Sequence, residues 1–137
     1  MAAPARAPEA APVRERESEL VTLFLATEVC GELEPREVAM RGASPAEAVR
    51  AVVRAPSLAH LPLAPPDVRV EESSARVDLA LLPRAAEGAG SSRHSLRALS
   101  TCEQHALLDA ISLTLRANVR WGIRQVLFTE RGNLLAI

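Results

Sequence analysis

Residues 100–119 read STCEQHALLDAISLTLRANV, and this stretch decides how the rest of the chain must be arranged. Ser100 is followed three residues later by Glu103, the spacing of a capping box in which each side chain satisfies an orphan N–H of the other residue. Behind it, Leu108, Ile111 and Leu115 recur at helical spacing, with Leu107 and Ala110 widening the stripe. Neither Gly nor Pro interrupts the run, so it predicts one amphipathic helix. Such a helix must cover an apolar surface, and the segments around it look like strands able to supply one.

Composition narrows the options. A chain of 137 residues fits one domain, or one domain and a tail. Hydrophobic residues make up 48%, enough for a core, but aromatics only 2% (Phe24, Phe128 and Trp121), so the core is expected to be aliphatic. That argues against aromatic platforms for single-stranded nucleic acid. A net charge of −1 gives no general attraction to nucleic acid or anionic lipid. The 16 basic residues are all Arg, a bias that fits a GC-rich genome. With no Lys, Schiff-base chemistry and a P-loop are excluded. There is no apolar run of 18 residues and no visible signal peptide. The expectation is a cytoplasmic chain, or one lacking an export signal or anchor that was removed.

Outward from the helix, the chain punctuates itself clearly. Residues 1–18 are Ala, Pro, Arg and Glu, with Pro4, Pro8 and Pro12 breaking any helix, and read as a disordered tail or linker. Residues 19–137 read as a single domain. Val21 to Ala26 predicts a strand, Cys30-Gly31-Glu32 a turn, and Leu33 to Met40 a second strand paired back as a hairpin. Pro35 places its early part at an edge. Ser44-Pro45-Ala46-Glu47 predicts a second capping box and a helix ending near Ala55. The Pro-rich loop 57–67 holds Leu58, Leu61 and Leu63, expected to anchor it to the core. Val68 to Glu72 and Ala75 to Leu82 predict strands around a Ser73-Ser74 turn. In the second, Val77, Leu79 and Leu81 alternate with polar positions as in a sheet with one buried face. Ile123 to Thr129 and Leu134 to Ile137 predict two more strands around Arg131-Gly132-Asn133. The order β-β-α-β-β-α-β-β predicts an α+β domain: two helices packed on one face of a mixed, mostly antiparallel sheet.

The chemistry-bearing residues are few. Cys102 and His105 form Cys-x-x-His on the helix, half of a zinc site, with Cys30, His60 and His94 as the other candidate ligands at no matching spacing. At the helix start, Cys102 could also be a thiolate nucleophile with His105 as base, making the chain a small thiol or metal enzyme. Set against this, both could be ordinary first-turn residues, and a Cys30–Cys102 disulfide stays open. Glu71 and Glu72, the one adjacent acidic pair in the strands, would point to opposite faces, poor geometry for paired carboxylate catalysis. Asp78 sits mid-strand, where Asp is disfavoured: a solvated residue, a structural hydrogen bond or a partner contact. The Arg84–Arg97 loop, with Arg84, Arg93, His94 and Arg97, could bind an anionic ligand. No G-x-G-x-x-G, P-loop or G-x-S-x-G occurs. No catalytic, metal-binding or cofactor-binding residue is assigned, and the chain is not read as an enzyme.

Taken together, the segments from Val21 to about Asn133 resemble a GerMN domain, the module of bacterial sporulation and spore-germination proteins. The resemblance lies in Val21-Thr22-Leu23-Phe24-Leu25, Ser44-Pro45-Ala46-Glu47-Ala48 with Pro56, and Leu63 through Val70. It continues in Ser74-Ala75-Arg76-Val77-Asp78-Leu79, Ala110-Ile111-Ser112-Leu113-Thr114-Leu115, and Val119, Ile123, Val126, Leu127 and Gly132. Ala80-Leu81-Leu82 and Ser112-Leu113 depart from the family's usual Ser and Asn. The chain holds one copy, where the family sometimes carries two. The resemblance implies a non-catalytic cell-envelope module, often part of an exported lipoprotein, with a fold similar to the ring-building motifs of spore-channel proteins. It implies self-association or protein partners rather than nucleic acid, no cofactor, and an extracytoplasmic, membrane-anchored location. Residues 1–18 would then be the linker from an upstream tether.

Overall fold

The computed structural model describes residues 18–28, 30–82 and 95–135. Its elements are β1 (Ser18–Ala26), β2 (Leu33–Arg41), α1 (Pro45–Val53), β3 (Asp67–Glu71), β4 (Ser74–Leu79), α2 (Thr101–Gln104), α3 (Ala110–Ala117), β5 (Gln125–Glu130) and β6 (Asn133–Leu134). The residues between α2 and α3, His105–Asp109, form a π turn, so the two helices are one continuous helix with a wide middle turn. The expected strand and helix order is therefore present, and the domain is α+β.

The strands divide into two sheets. β1 and β2 form an antiparallel hairpin, and the other sheet has the order β3-β4-β5-β6. In that sheet β4 and β5 are parallel and the other two pairs antiparallel. A parallel pair needs a long crossover, and the α2–α3 helix lies within that connection. α3 packs on β1, α1 and β5, while α1 packs on β1 and β3. The helices thus join the hairpin to the larger sheet.

Core chemistry follows the composition. Val21 and Leu23 from β1, Val49 and Val52 from α1, Val77 and Leu79 from β4, and Leu107, Ile111 and Leu115 from the closing helix are all buried. Phe128 and Trp121 only pack at the edge of this aliphatic cluster. Ala106, Leu107 and Leu108, three consecutive residues of the π turn, are all buried, so this part of the closing helix is enclosed by the core over a wide arc.

Both helix starts are local sequence signals made real. Ser100 accepts from the Glu103 N–H and Glu103 accepts from the Ser100 N–H, a complete capping box. At α1 the box is half-formed: Ser44 caps the Glu47 N–H, but the Glu47 carboxylate turns to Arg50. Other boundaries move by one to three residues: β1 begins at Ser18 rather than Val21, β4 ends at Leu79 rather than Leu82, and β5 begins at Gln125 rather than Ile123. The β3–β4 turn is Glu72-Ser73, with Glu72 at φ 53°, so Ser74 begins β4 and Glu72 lies outside the strand where the sequence placed it. Leu58 is buried and Leu61 and Leu63 pack partly, so the Pro-rich loop is anchored as expected. At the β5–β6 turn, Arg131 and Gly132 both have positive φ, the backbone of a two-residue type I′ hairpin.

Candidate interaction surface

The expected chemistry at the closing helix does not assemble. Cys102 is bonded to Cys30, with the Cα atoms 4.8 Å apart. This corrects the reading of Cys102 as a thiolate nucleophile or metal ligand, because a bridged sulfur carries neither the proton nor the charge that either role needs. His105, its supposed base, turns away along the helix and places Nδ1 2.6 Å from the Asp109 carboxylate. His60 places Nε2 2.6 Å from Glu103. Among the described residues no three His, Cys, Asp or Glu side chains gather as a metal site. His94, Arg84 and Arg93 lie outside the described residues; Arg97 is exposed beside β5.

What assembles instead at the start of the closing helix is a clamp. Glu103 receives the Ser100 N–H and, on its other oxygen, His60, while the neighbouring Cys102 ties the helix to the β1–β2 turn. The Ser100 backbone bond, then the His60 bond, hold the Glu103 carboxyl below its ordinary value of 4.5. A depressed carboxyl stabilises the fold above its unfolded value, and that contribution disappears as pH falls through the lower, folded value. Glu103→Gln is therefore expected to be less stable than the parent at neutral pH and to converge with it on acidification. Melting temperatures from about pH 7 down to pH 2 measure this. Two parallel curves would contradict it.

A second assembly lies along the outer edge of β1. There Thr114 and Asn118, one helical turn apart, stand in for a missing strand. Asn118 Oδ1 accepts from the Thr22 N–H at 3.0 Å. Its Nδ2 donates to the Thr22 carbonyl at 2.8 Å and to the Thr114 carbonyl at 2.7 Å. Thr114 Oγ1 accepts from the Phe24 N–H at 2.9 Å. Arg120 completes the seal by donating to the Leu20 carbonyl and pairing with Glu19. A carboxamide carries one acceptor and a two-hydrogen donor, so it satisfies an edge strand much as a peptide group would. With these groups engaged, the outer edge of β1 has no free main-chain groups at Thr22 to offer another strand. Neither residue was singled out from sequence. The available signal was two polar residues, four apart, on the helix face shared with Ile111 and Leu115.

Asp78 resolves as a structural residue. Its Oδ1 accepts from the Thr129 hydroxyl at 2.6 Å and from the Gly132 N–H at 2.8 Å, holding the β5–β6 turn against β4. Asp78→Ala is expected to cost about 1–2 kcal/mol in chemical denaturation. It should also speed hydrogen exchange at Gly132; unchanged exchange there would remove Asp78 from this role.

The remaining surface has two features of interest. Large apolar side chains are exposed at Leu20 (61%) and Val119 (84%), on elements that Arg120 draws together. The other is the outer side of β2. Since Thr22 turns both backbone groups to Asn118, its partner Glu37 must turn its own the opposite way, as antiparallel geometry requires. Residues 33, 35, 37, 39 and 41 consequently face their backbone outward. Pro35, without an N–H, belongs to this set, so it costs the hairpin no hydrogen bond, and its expected edge position is observed.

No family model and no curated protein matches the chain. Among solved structures, it is similar to the tandem GerMN domains of the sporulation protein GerM from Bacillus subtilis, with a TM-score of 0.57 and 14% identity. The match covers 86% of this chain and 41% of that one, so this chain spans less than half of the tandem structure. A two-sheet α+β fold with a helical crossover closing on β1 is therefore a GerMN-like fold.

Proposed function

We propose that this domain is a non-catalytic protein-interaction module of the bacterial cell envelope, working outside the cytoplasm. The observation that carries the reading is the Cys30–Cys102 disulfide, since such bridges persist mainly in oxidising compartments. The GerMN-like fold supports a role related to sporulation or germination, and with it a membrane tether upstream of the domain. The residues that could have carried chemistry support a scaffold, because Cys102 is bridged to Cys30, and His105, His60 and Glu103 are engaged with one another or with their neighbours rather than converging on a cavity. The exposed Leu20 and Val119 give an interaction surface its apolar contacts.

Two measurements in the native cell test this. Alkylation of thiols before lysis should leave Cys30 and Cys102 unmodified; two alkylated thiols would remove the compartment assignment. A photo-crosslinking side chain at Leu20 or Val119 should give a defined protein adduct, and recovery of only the uncrosslinked chain would remove the interaction role.

A further inference from the structure

The outer face of the larger sheet carries charges in an order that costs the fold stability. The helices pack on the face that holds Ala75, Val77 and Leu79, all buried. Alternation puts Arg76 and Asp78 of β4 on the opposite face, together with their β3 partners Arg69 and Asp67. Asp67 stands directly opposite Asp78, and Arg69 directly opposite Arg76. Like charges directly opposed weaken a hairpin. Exchanging the two β3 residues would make both cross-strand pairs attractive with the same composition. The chain instead gathers its carboxylates in one row and its guanidinium groups in the next.

These four side chains are only partly spent on their neighbours. Arg69 gives its Nε to Asp67 Oδ2 at 3.3 Å and keeps its terminal nitrogens. Arg76 is exposed and makes no hydrogen bond or ion pair with another described residue. Asp78 uses Oδ1 for both Thr129 and Gly132, and no described residue takes its Oδ2. A cleft of about 320 Å³ opens over this block, lined by Asp67, Arg69, Arg76, Asp78, Thr129 and Gly132. That volume suits a small ligand. Arg69 and Arg76 also line a second hollow of about 100 Å³ beside Leu127.

We propose that this cleft binds a free α-amino acid, its carboxylate taken by Arg69 and Arg76 and its ammonium by Asp67 and Asp78. The two rows form a surface dipole, and a zwitterion answers both ends of it. One carboxylate placed between Arg69 and Arg76 replaces their repulsion with charge-assisted hydrogen bonds. An ammonium does the same for Asp67 and Asp78. The rows lie two residues apart, about 7 Å along the strands, so the ligand's charges must be close together, as they are around an α-carbon. A phosphate or an acidic peptide would meet the same guanidinium pair but set further negative charge against Asp67 and Asp78. An amine alone would leave the Arg pair unanswered. The site uses neither Leu20 nor Val119, so it goes beyond the interaction-module reading and does not rest on it.

Titration of the purified chain with glycine, followed by backbone-amide and arginine side-chain NMR shifts, tests the proposal. Glycine carries both charges and adds no ionic strength. Saturable shifts at Arg69, Arg76 and Asp78 are expected, with a dissociation constant on the order of 1–10 mM. Sodium acetate, referenced to sodium chloride at equal strength, should bind at least about tenfold more weakly, since it engages one row only. Arg76→Gln should weaken glycine binding about tenfold or more without lowering the melting temperature, because it removes an exposed group and a like-charge contact. The exchange Asp67→Arg with Arg69→Asp keeps the composition but mixes the rows. It should abolish glycine binding while raising the melting temperature by about 3 °C. Binding and stability moving in opposite directions separates a ligand site from a structural one. No saturable shift up to about 100 mM glycine overturns the proposal. So does acetate binding as tightly as glycine, or glycine binding that survives both variants.

Discussion

Replacing Cys30 and Cys102 with Ala is expected to lower stability by about 4 kcal/mol and the melting temperature by roughly 15 °C. The bridge spans 72 positions of sequence, from the β1–β2 turn to the first turn of the closing helix. In the chain-entropy account a cross-link acts on the unfolded state, and a loop of this length lies toward the upper end of the usual effect. Every strand after β1 except β5 and β6 lies within the loop it closes. The loss should therefore appear as a lower midpoint for the whole domain, not as fraying at one end. Thermal unfolding of the parent with and without reductant checks this without any substitution. Identical melting curves would show that the bridge is absent or carries no stability.

Asn118→Ala is expected to cost about 2–4 kcal/mol, large for the loss of one polar side chain. The residue is 8% exposed, and removing it leaves the part-buried Thr22 N–H and carbonyl and the buried Thr114 carbonyl without this partner. Leaving buried groups unpaired costs more than the net value of the bonds themselves. Asn118→Asp separates this account from simple packing, because its size is nearly unchanged. The Thr22 N–H keeps an acceptor, but a carboxylate oxygen now faces two carbonyl oxygens. This variant should be strongly destabilised at neutral pH and recover partly as the carboxyl is protonated. Chemical denaturation at pH 7 and pH 4, with exchange of the Thr22 amide as a local readout, measures both variants. Parent-like stability of Asn118→Asp at pH 7 would refute the strand-mimic role.

The elements whose cause is local were legible in the sequence. Ser100 and Glu103 meet because they lie three apart, and no distant residue is needed for that. The alternation of Val77 and Leu79 with Arg76 and Asp78 fixes which face of β4 is buried. The single-sheet expectation resolved into two sheets, a division that no local pattern contains. One edge of β1 is taken up by hydrogen bonds between Asn118 and Thr22, 96 positions apart. No local pattern marks the π turn either: Ala106, Leu107 and Leu108 look like ordinary helix residues.

At the candidate surface the same division holds. Pro35 signalled an edge strand from its missing N–H alone. That Cys102 would meet Cys30 rather than His105 depended on where the β1–β2 turn falls relative to the closing helix. Two cysteines at unrelated positions carry no spacing from which to deduce it.

By itself, then, the sequence determined an aliphatic α+β domain, the caps of both helices and the inward stripe of Leu107, Leu108, Ile111 and Leu115, because these depend on neighbours within a few residues. Only the tertiary structure decided the fate of Cys102, the work of Thr114 and Asn118 on β1, and which backbone groups of β2 face outward. Those outcomes depend on groups brought together across most of the chain, where the order of residues sets no distance.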